Sequence, residues 1–164
     1  MHTASLITKD TAVRYILPIL LLFICLPSFA KNDDITDVTV TSVYDGDTFK
    51  VMLPCTLPVV CNYISVRVRG VDAPEFRTKD DCEKKKAKQA KLFTREFLKK
   101  GSVTLRNCGK DKYFRLLCSV FVVNTETKAE SSLATALLNA NLAVPYEGQK
   151  KLKYNWCGNK PTQK

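Results

Sequence analysis

Residues Ile64–Glu75 read ISVRVRGVDAPE. Apolar and polar residues alternate from Ile64 to Arg69, the period of a strand with one buried face. Ile64, Val66 and Val68 are therefore expected on the core side, with Arg67 and Arg69 opposite. Gly70 and Pro74 mark the exit from that strand. Two arginines and two carboxylates crowd into the stretch from Arg67 to Glu75. Taken alone, such a segment is a strand with a solvated polar face that ends in a turn. Only partners elsewhere in the chain give its charges a further meaning.

On the N-terminal side, ITDVTVTSVY and DTFKVML read as two strands joined at Asp45-Gly46, a dipeptide common in tight hairpins. On the C-terminal side the pattern turns helical from Asp80 to Lys100. There Ala87, Ala90, Phe93 and Phe97 recur at three- and four-residue spacing, Gly101 follows as a stop, and the lysines of EKKKAKQAK form a solvated face. SVTLRNC and FRLLCSVFVV read as strands four and five across the polar turn GKDKY. A second helix, from about Ser131 to Ala140, carries Leu133, Ala136, Leu137 and Ala140 on one side. The basic tail after Pro145 holds YNWC, whose Trp156 and Cys157 are positioned to tie it back to the body. Three strands, a helix, two strands and a helix predict a mainly β fold with helices (α+β): a five-stranded OB-type β-barrel with two or three packed helices. Such barrels often bind nucleic acid.

Of the 164 residues, the first thirty are set apart. Lys9 and Arg14 precede the apolar run YILPILLLFICLP, and SFA ends at Ala30 with the small residues a processing site needs. The run is shorter than the roughly 20 apolar residues of a spanning helix, and Pro18 and Pro27 interrupt it. Residues 1–30 are accordingly expected to be a cleaved signal peptide, and 31–164 the domain. The mature protein would be secreted or periplasmic, a monomer with no stable membrane anchor.

Removing the leader takes away Lys9, Arg14 and Asp10, so the net charge passes from +10 to +9. That excess attracts polyanions such as nucleic acids or anionic lipid surfaces without choosing between them. The only histidine, His2, leaves with the leader, which excludes histidine bases, Ser-His-Asp and Cys-His catalysis, and His-ligated zinc. Six cysteines remain: Cys55, Cys61, Cys82, Cys108, Cys118 and Cys157. An even number in an exported chain favours disulfides, and no C-x-x-C is present. Only Cys55 with Cys61, flanking a short loop between strands, is favourable on local grounds. A buried free thiol at Cys118, inside LLCSVFVV, stays open.

Three patches bear on chemistry: YDGDTF, with Asp45 and Asp47 at the head of strand two; RVRGVDAPE; and DKYFR, with Arg115 opening strand five. Each alone has a plain structural reading. Together, as DGDTFKV, VRVRGVDAPE, DKYFR and LATALLNANLAVPY in this order, they resemble the staphylococcal nuclease (thermonuclease) family, from about Asp37 to Leu142. The tail resembles a secreted bacterial branch with a shortened C-terminus.

The resemblance implies a Ca²⁺ ion held by the carboxylates of Asp47 and Asp72 and the main-chain carbonyl of Ala73. A site with so few protein charges would be weak, as extracellular calcium modules of roughly 10⁻⁴ to 10⁻³ M affinity are. It also implies Glu75 as general base, Arg67 and Arg115 as phosphate-binding catalytic arginines, and Tyr113 as a substrate contact. Arg69 matches no catalytic position and is expected to be solvated or to touch a nucleic-acid backbone. Phe114 stands where the family usually has glycine, so the loop before Arg115 is expected to be set differently. Ala73 replaces a common threonine or serine, which spares the carbonyl.

The implied function is Ca²⁺-dependent hydrolysis of DNA and RNA with little sequence preference, leaving 3′-phosphate and 5′-hydroxyl ends. A non-catalytic OB-fold nucleic-acid-binding protein of the cell envelope is the alternative, disfavoured because a binder has no need of Glu75 beside two acidic metal ligands. A basic envelope protein with structural acids is a third class.

Overall fold

The alternating segment forms strand β3 (Ile64–Val68), and its neighbours explain why its polar face is not solvated. A computed structural model describes residues 34–55, 61–149, 151, 154–158 and 160–161, all within the compact unit Asn32–Lys164. The expected signal peptide, residues 1–30, lies outside the described residues. β1 (Ile35–Val43) and β2 (Thr48–Met52) pair antiparallel on either side of the Asp45–Asp47 turn. β2 then pairs with β3, placing Thr48 opposite Arg67.

Helix α1 (Asp81–Leu98) follows, and the Asp80 carboxylate caps it by accepting from the N–H groups of Cys82 and Glu83. α1 leads into β5 (Gly101–Lys110), which pairs with β1 and with β6 (Leu116–Asn124). β6 runs parallel to β3, with Leu117 opposite Arg67, and this last pairing closes the sheet. The result is the expected five-stranded OB-type barrel with two helices, in the order β3-β2-β1-β5-β6 and back to β3. Closure leaves these strands no open edge between first and last.

Phe49, Val51, Val66, Val68, Leu105 and Val120 fill the interior at 0–1% exposure. Each such side chain contributes roughly 1.5–3 kcal/mol through removal from water. α1 packs Ala87, Ala90, Thr94, Phe97 and Leu98 inward. The second helix is shorter than its spacing suggested: α2 (Leu133–Asn139) starts after Ser132, whose hydroxyl caps it, and buries Leu133 and Leu137.

Three pairings carried no signal in the sequence. β4 (Gly70–Asp72) leaves β3 through Gly70, at φ +83° in the left-handed region that glycine enters freely, and pairs with β8 (Val144–Tyr146). β7 (Glu130–Ser132) extends the sheet beside β6, and β9 (Tyr154–Asn155) pairs with β10 (Lys160–Pro161) in the tail. Strands of two or three residues are too short to show a period.

Three disulfides form: Cys55–Cys61, Cys82–Cys157 and Cys108–Cys118. The first is the locally favoured pair. The second ties the tail to the first turn of α1. The third corrects the open reading of Cys118 as a free thiol. The register between β5 and β6 shifts between Arg106 and Gly109, and that irregularity sets Cys108 against the fully buried Cys118.

Candidate active site

The Asp45-Gly46-Asp47 turn sits deep for a hairpin. Asp45 is 6% exposed and Asp47 1% exposed. A glycine is needed between them because a Cβ on Gly46 would lie 2.7 Å from the Ala90 Cβ and 2.8 Å from the Ala73 Cβ. Helix α1, the turn and the segment after β4 therefore meet at one point. The Thr94 hydroxyl donates to the Gly46 carbonyl at 2.6 Å and fixes the turn to α1.

Asp47 is consequently a hub. Its Oδ2 accepts the Ala73 N–H at 2.6 Å, and its Oδ1 accepts from the Thr48 hydroxyl at 3.0 Å and from an Arg67 Nη1. The other Arg67 Nη reaches Asp72 Oδ1 at 2.7 Å and the Val71 carbonyl at 3.2 Å. Arg67 does alternate with Val66 and Val68, but Asp47, Val71 and Asp72 cover its face, and it is only 7% exposed. The charges that seemed excessive for one strand are thus paired across three segments.

Glu75 lies at the rim and is exposed. Its N–H donates to Glu83 Oε1 at 3.1 Å, so the first turn of α1 holds its backbone. Lys151 from the tail spans Asp72, at 2.7 Å, and Glu75, at 3.0 Å. Burial would lower the Lys151 pKa, but those two carboxylates outweigh it and raise it. Among the described residues no cation pairs directly with Asp45: burial first, then the negative charge of Glu75, pushes its pKa up to about 6.

The loop between β5 and β6 supplies the opposite wall. Asp111 Oδ1 accepts the N–H groups of Tyr113, at 2.8 Å, and Arg115, at 3.0 Å. Its Oδ2 takes the Arg115 Nε and Nη2, both at 2.7 Å. Burial would raise the Asp111 pKa, yet the Arg115 backbone N–H and guanidinium, with the Tyr113 N–H, hold it below the ordinary carboxylate value. Phe114 adopts φ +62°, so the loop accommodates a large residue in the left-handed conformation glycine favours.

Arg69 is half-buried at the same cleft, and its side chain is not free. Its Nη2 donates to the carbonyls of Asn107, at 2.8 Å, and Leu117, at 3.0 Å, while its Nε is buried with no partner among the described residues. The plain solvated strand residue is thereby refined, since the closing β3–β6 pairing carries the side chain onto the main chain of β5 and β6; the alternative, a contact to a nucleic-acid backbone, concerns the cleft that Arg69 lines.

Arg67, Glu75, Tyr113, Arg115, Asp45 and Lys151 all line one cleft of about 930 Å³. Of the expected metal-binding groups, Asp47 and Asp72 are brought together on one guanidinium, and Ala73 is bonded to Asp47 through its N–H. Among the described residues, no three Asp, Glu, Cys or His side chains converge closely enough to hold a metal as they stand. The expected set needs only two carboxylates and a main-chain carbonyl. Its all-oxygen chemistry suits a hard cation, and Asp72, one of its two carboxylates, already draws both Arg67 and Lys151.

Asp111, Thr94, Glu83 and Lys151 are the participants that sequence reasoning missed. Thr94 alone left a trace, because it falls on the inward spacing of Ala87, Ala90 and Phe97.

The fold is thus a closed OB-type barrel whose arginines and acids face one cleft. Residues 65–157 match the family of staphylococcal nuclease homologues, and the chain belongs to that family. The match begins inside β3 and runs into the tail, so Asp45 and Asp47 lie upstream of it. No curated protein matches the chain.

Proposed function

We propose that the chain is an exported, Ca²⁺-dependent nuclease that hydrolyses phosphodiester bonds of DNA and RNA, leaving 3′-phosphate and 5′-hydroxyl ends. The observation that carries this reading is the cleft, which lines Arg67, Arg115 and Glu75 together within a nuclease family. Arg67 and Arg115 bind the phosphate, since guanidinium forks match its oxygens bidentately and keep their charge at any relevant pH. Glu75, exposed at the rim, takes the proton of the attacking water. Tyr113 contacts the substrate beside Arg115. Asp47, Asp72 and the Ala73 carbonyl would hold the ion, whose chemistry is Lewis-acid withdrawal of charge from the phosphate. Phosphate carries no base identity, which accounts for weak sequence preference.

Export rests on the apolar leader at residues 1–30 and on the three disulfides, which persist in oxidising compartments. No described helix is long and apolar enough to cross a membrane.

The test is cleavage of DNA and RNA by the purified protein with Ca²⁺, with EGTA, and after Glu75→Gln. Cleavage in Ca²⁺, its loss in EGTA, and a fall of roughly 10² to 10⁴ in Glu75→Gln turnover with binding retained are expected. Full activity in EGTA would remove the metal assignment. Binding without cleavage under every condition would replace the nuclease with a binding module.

A further inference from the structure

Phe114 is the most exposed large apolar side chain described, at 81%. Its backbone is at φ +62°, a region costly for a bulky residue. The chain therefore accepts two costs at one position, exposed apolar surface and backbone strain. Strain of this kind persists only where the surroundings overdetermine it. Here they do: Asp111 accepts the Tyr113 and Arg115 N–H groups, the Asp111 N–H donates to the Arg115 carbonyl at 3.0 Å, and the Phe114 N–H donates to the Asp111 carbonyl at 3.2 Å. The loop is a clamp that holds one ring out into solvent.

Its position gives that ring a use. Phe114 lies between Tyr113, itself 64% exposed, and Arg115, both of which line the cleft. Cations surround the pair of rings. The Lys110 Nζ is 4.1 Å from the Phe114 centroid, the Lys112 Nζ 5.1 Å from that of Tyr113, and the Arg115 guanidinium 5.3 Å from that of Tyr113. Aromatic faces interleaved with cations suit a single strand, whose bases stack while its backbone meets the positive charge. A base inside a duplex is already stacked and offers no free face.

We propose that Phe114 is a base-stacking platform beside the scissile phosphate and makes this chain favour unpaired nucleotides. The inference rests on the nuclease reading above and adds a specificity-determining residue to it. Tyr63 provides an internal contrast, since it too is exposed, at 67%, with φ +60°. Neither ring lines the cleft itself, but Phe114 stands between two lining residues, Tyr113 and Arg115, whereas Tyr63 precedes β3 with no lining residue beside it.

The experiment compares kcat/KM on a single-stranded oligothymidylate, the same strand with abasic sites, and a duplex of equal length. The proteins are the wild type, Phe114→Ala, Phe114→Gly and Tyr63→Ala, with thermal midpoints measured alongside. Both Phe114 variants should lose roughly 5- to 150-fold on the single strand, the value of one base–aromatic stack, and little on the duplex or the abasic strand. Phe114→Gly should also melt higher than Phe114→Ala, because glycine relieves the left-handed strain. Tyr63→Ala should match the wild type on every substrate. Equal losses on all substrates, or none, would overturn the role of Phe114 while leaving the nuclease intact. A wild type that cuts none of the substrates would overturn both readings.

Discussion

Arg67 and Arg69 leave the same strand two residues apart, yet their guanidinium groups meet opposite kinds of partner. Arg67 joins the carboxylates of Asp47 and Asp72, whereas Arg69 holds the carbonyls of Asn107 and Leu117. Lysine keeps the charge but loses the fork, so the consequences should diverge. Arg67→Lys and Arg115→Lys are expected to lower single-turnover cleavage by roughly 10² to 10³, with a much smaller loss of affinity. Arg69→Lys should act chiefly on the thermal midpoint, because one ammonium replaces a planar group spanning two carbonyls. Equal effects of all three on cleavage would defeat that division. Asp111 gives a pH prediction at the same scale. Its folded pKa is depressed, so its contribution is present above the unfolded value, ordinarily near 4, and is lost as pH falls through the folded one. Asp111→Asn should destabilise the protein at neutral pH and erase part of the acid-side decline in stability. Parallel stability–pH curves for variant and wild type would contradict this.

Between elements, the decisive contact is the approach of α1 to the β1–β2 turn. Gly46→Ala introduces a Cβ 2.7 Å from that of Ala90, so the helix or the turn must shift. The expected cost is roughly 1–3 kcal/mol, the range for overpacking, and Asp47 moves with the turn. Ala90→Gly in the same chain should recover part of the loss despite its own helix penalty of about 1 kcal/mol. Additive costs in the double variant, by urea denaturation, would show that the two sites do not meet. Thr94→Val keeps the shape but leaves the Gly46 carbonyl without its donor, and about 1–3 kcal/mol should be lost.

At the scale of the molecule, Cys82–Cys157 joins positions 75 residues apart and fastens the tail that carries Lys151 to α1. Cys55–Cys61 closes a separation of only 6 residues. A longer loop removes more entropy from the unfolded chain, so a Cys82→Ser, Cys157→Ser pair should cost roughly 2–5 kcal/mol, more than the corresponding change at Cys55 and Cys61. Denaturant midpoints of the two double variants decide the order. A smaller loss for the 82–157 pair would mean that the tail contributes little to the folded unit.

The barrel was legible in the sequence because its strands and α1 are long enough to show a period. Ile64, Val66 and Val68 alternate, and Ala87, Ala90 and Phe97 repeat at helical spacing, with Asp80 and Gly101 bounding the run. The three charged patches were legible because their residue types are unusual for strands and turns. Tertiary structure alone decided what those charges do. β3 pairs with β6 and β4 with β8, contacts between residues dozens apart that no local pattern encodes. Those pairings cover Arg67 and turn Arg69 onto backbone carbonyls, while the irregular β5–β6 register sets Cys108 against Cys118. They also bring Lys151 of the tail onto Asp72 and Glu75, a meeting across more than seventy residues. Periodicity reports which face of an element is apolar; only the closed barrel determines what stands opposite the other face.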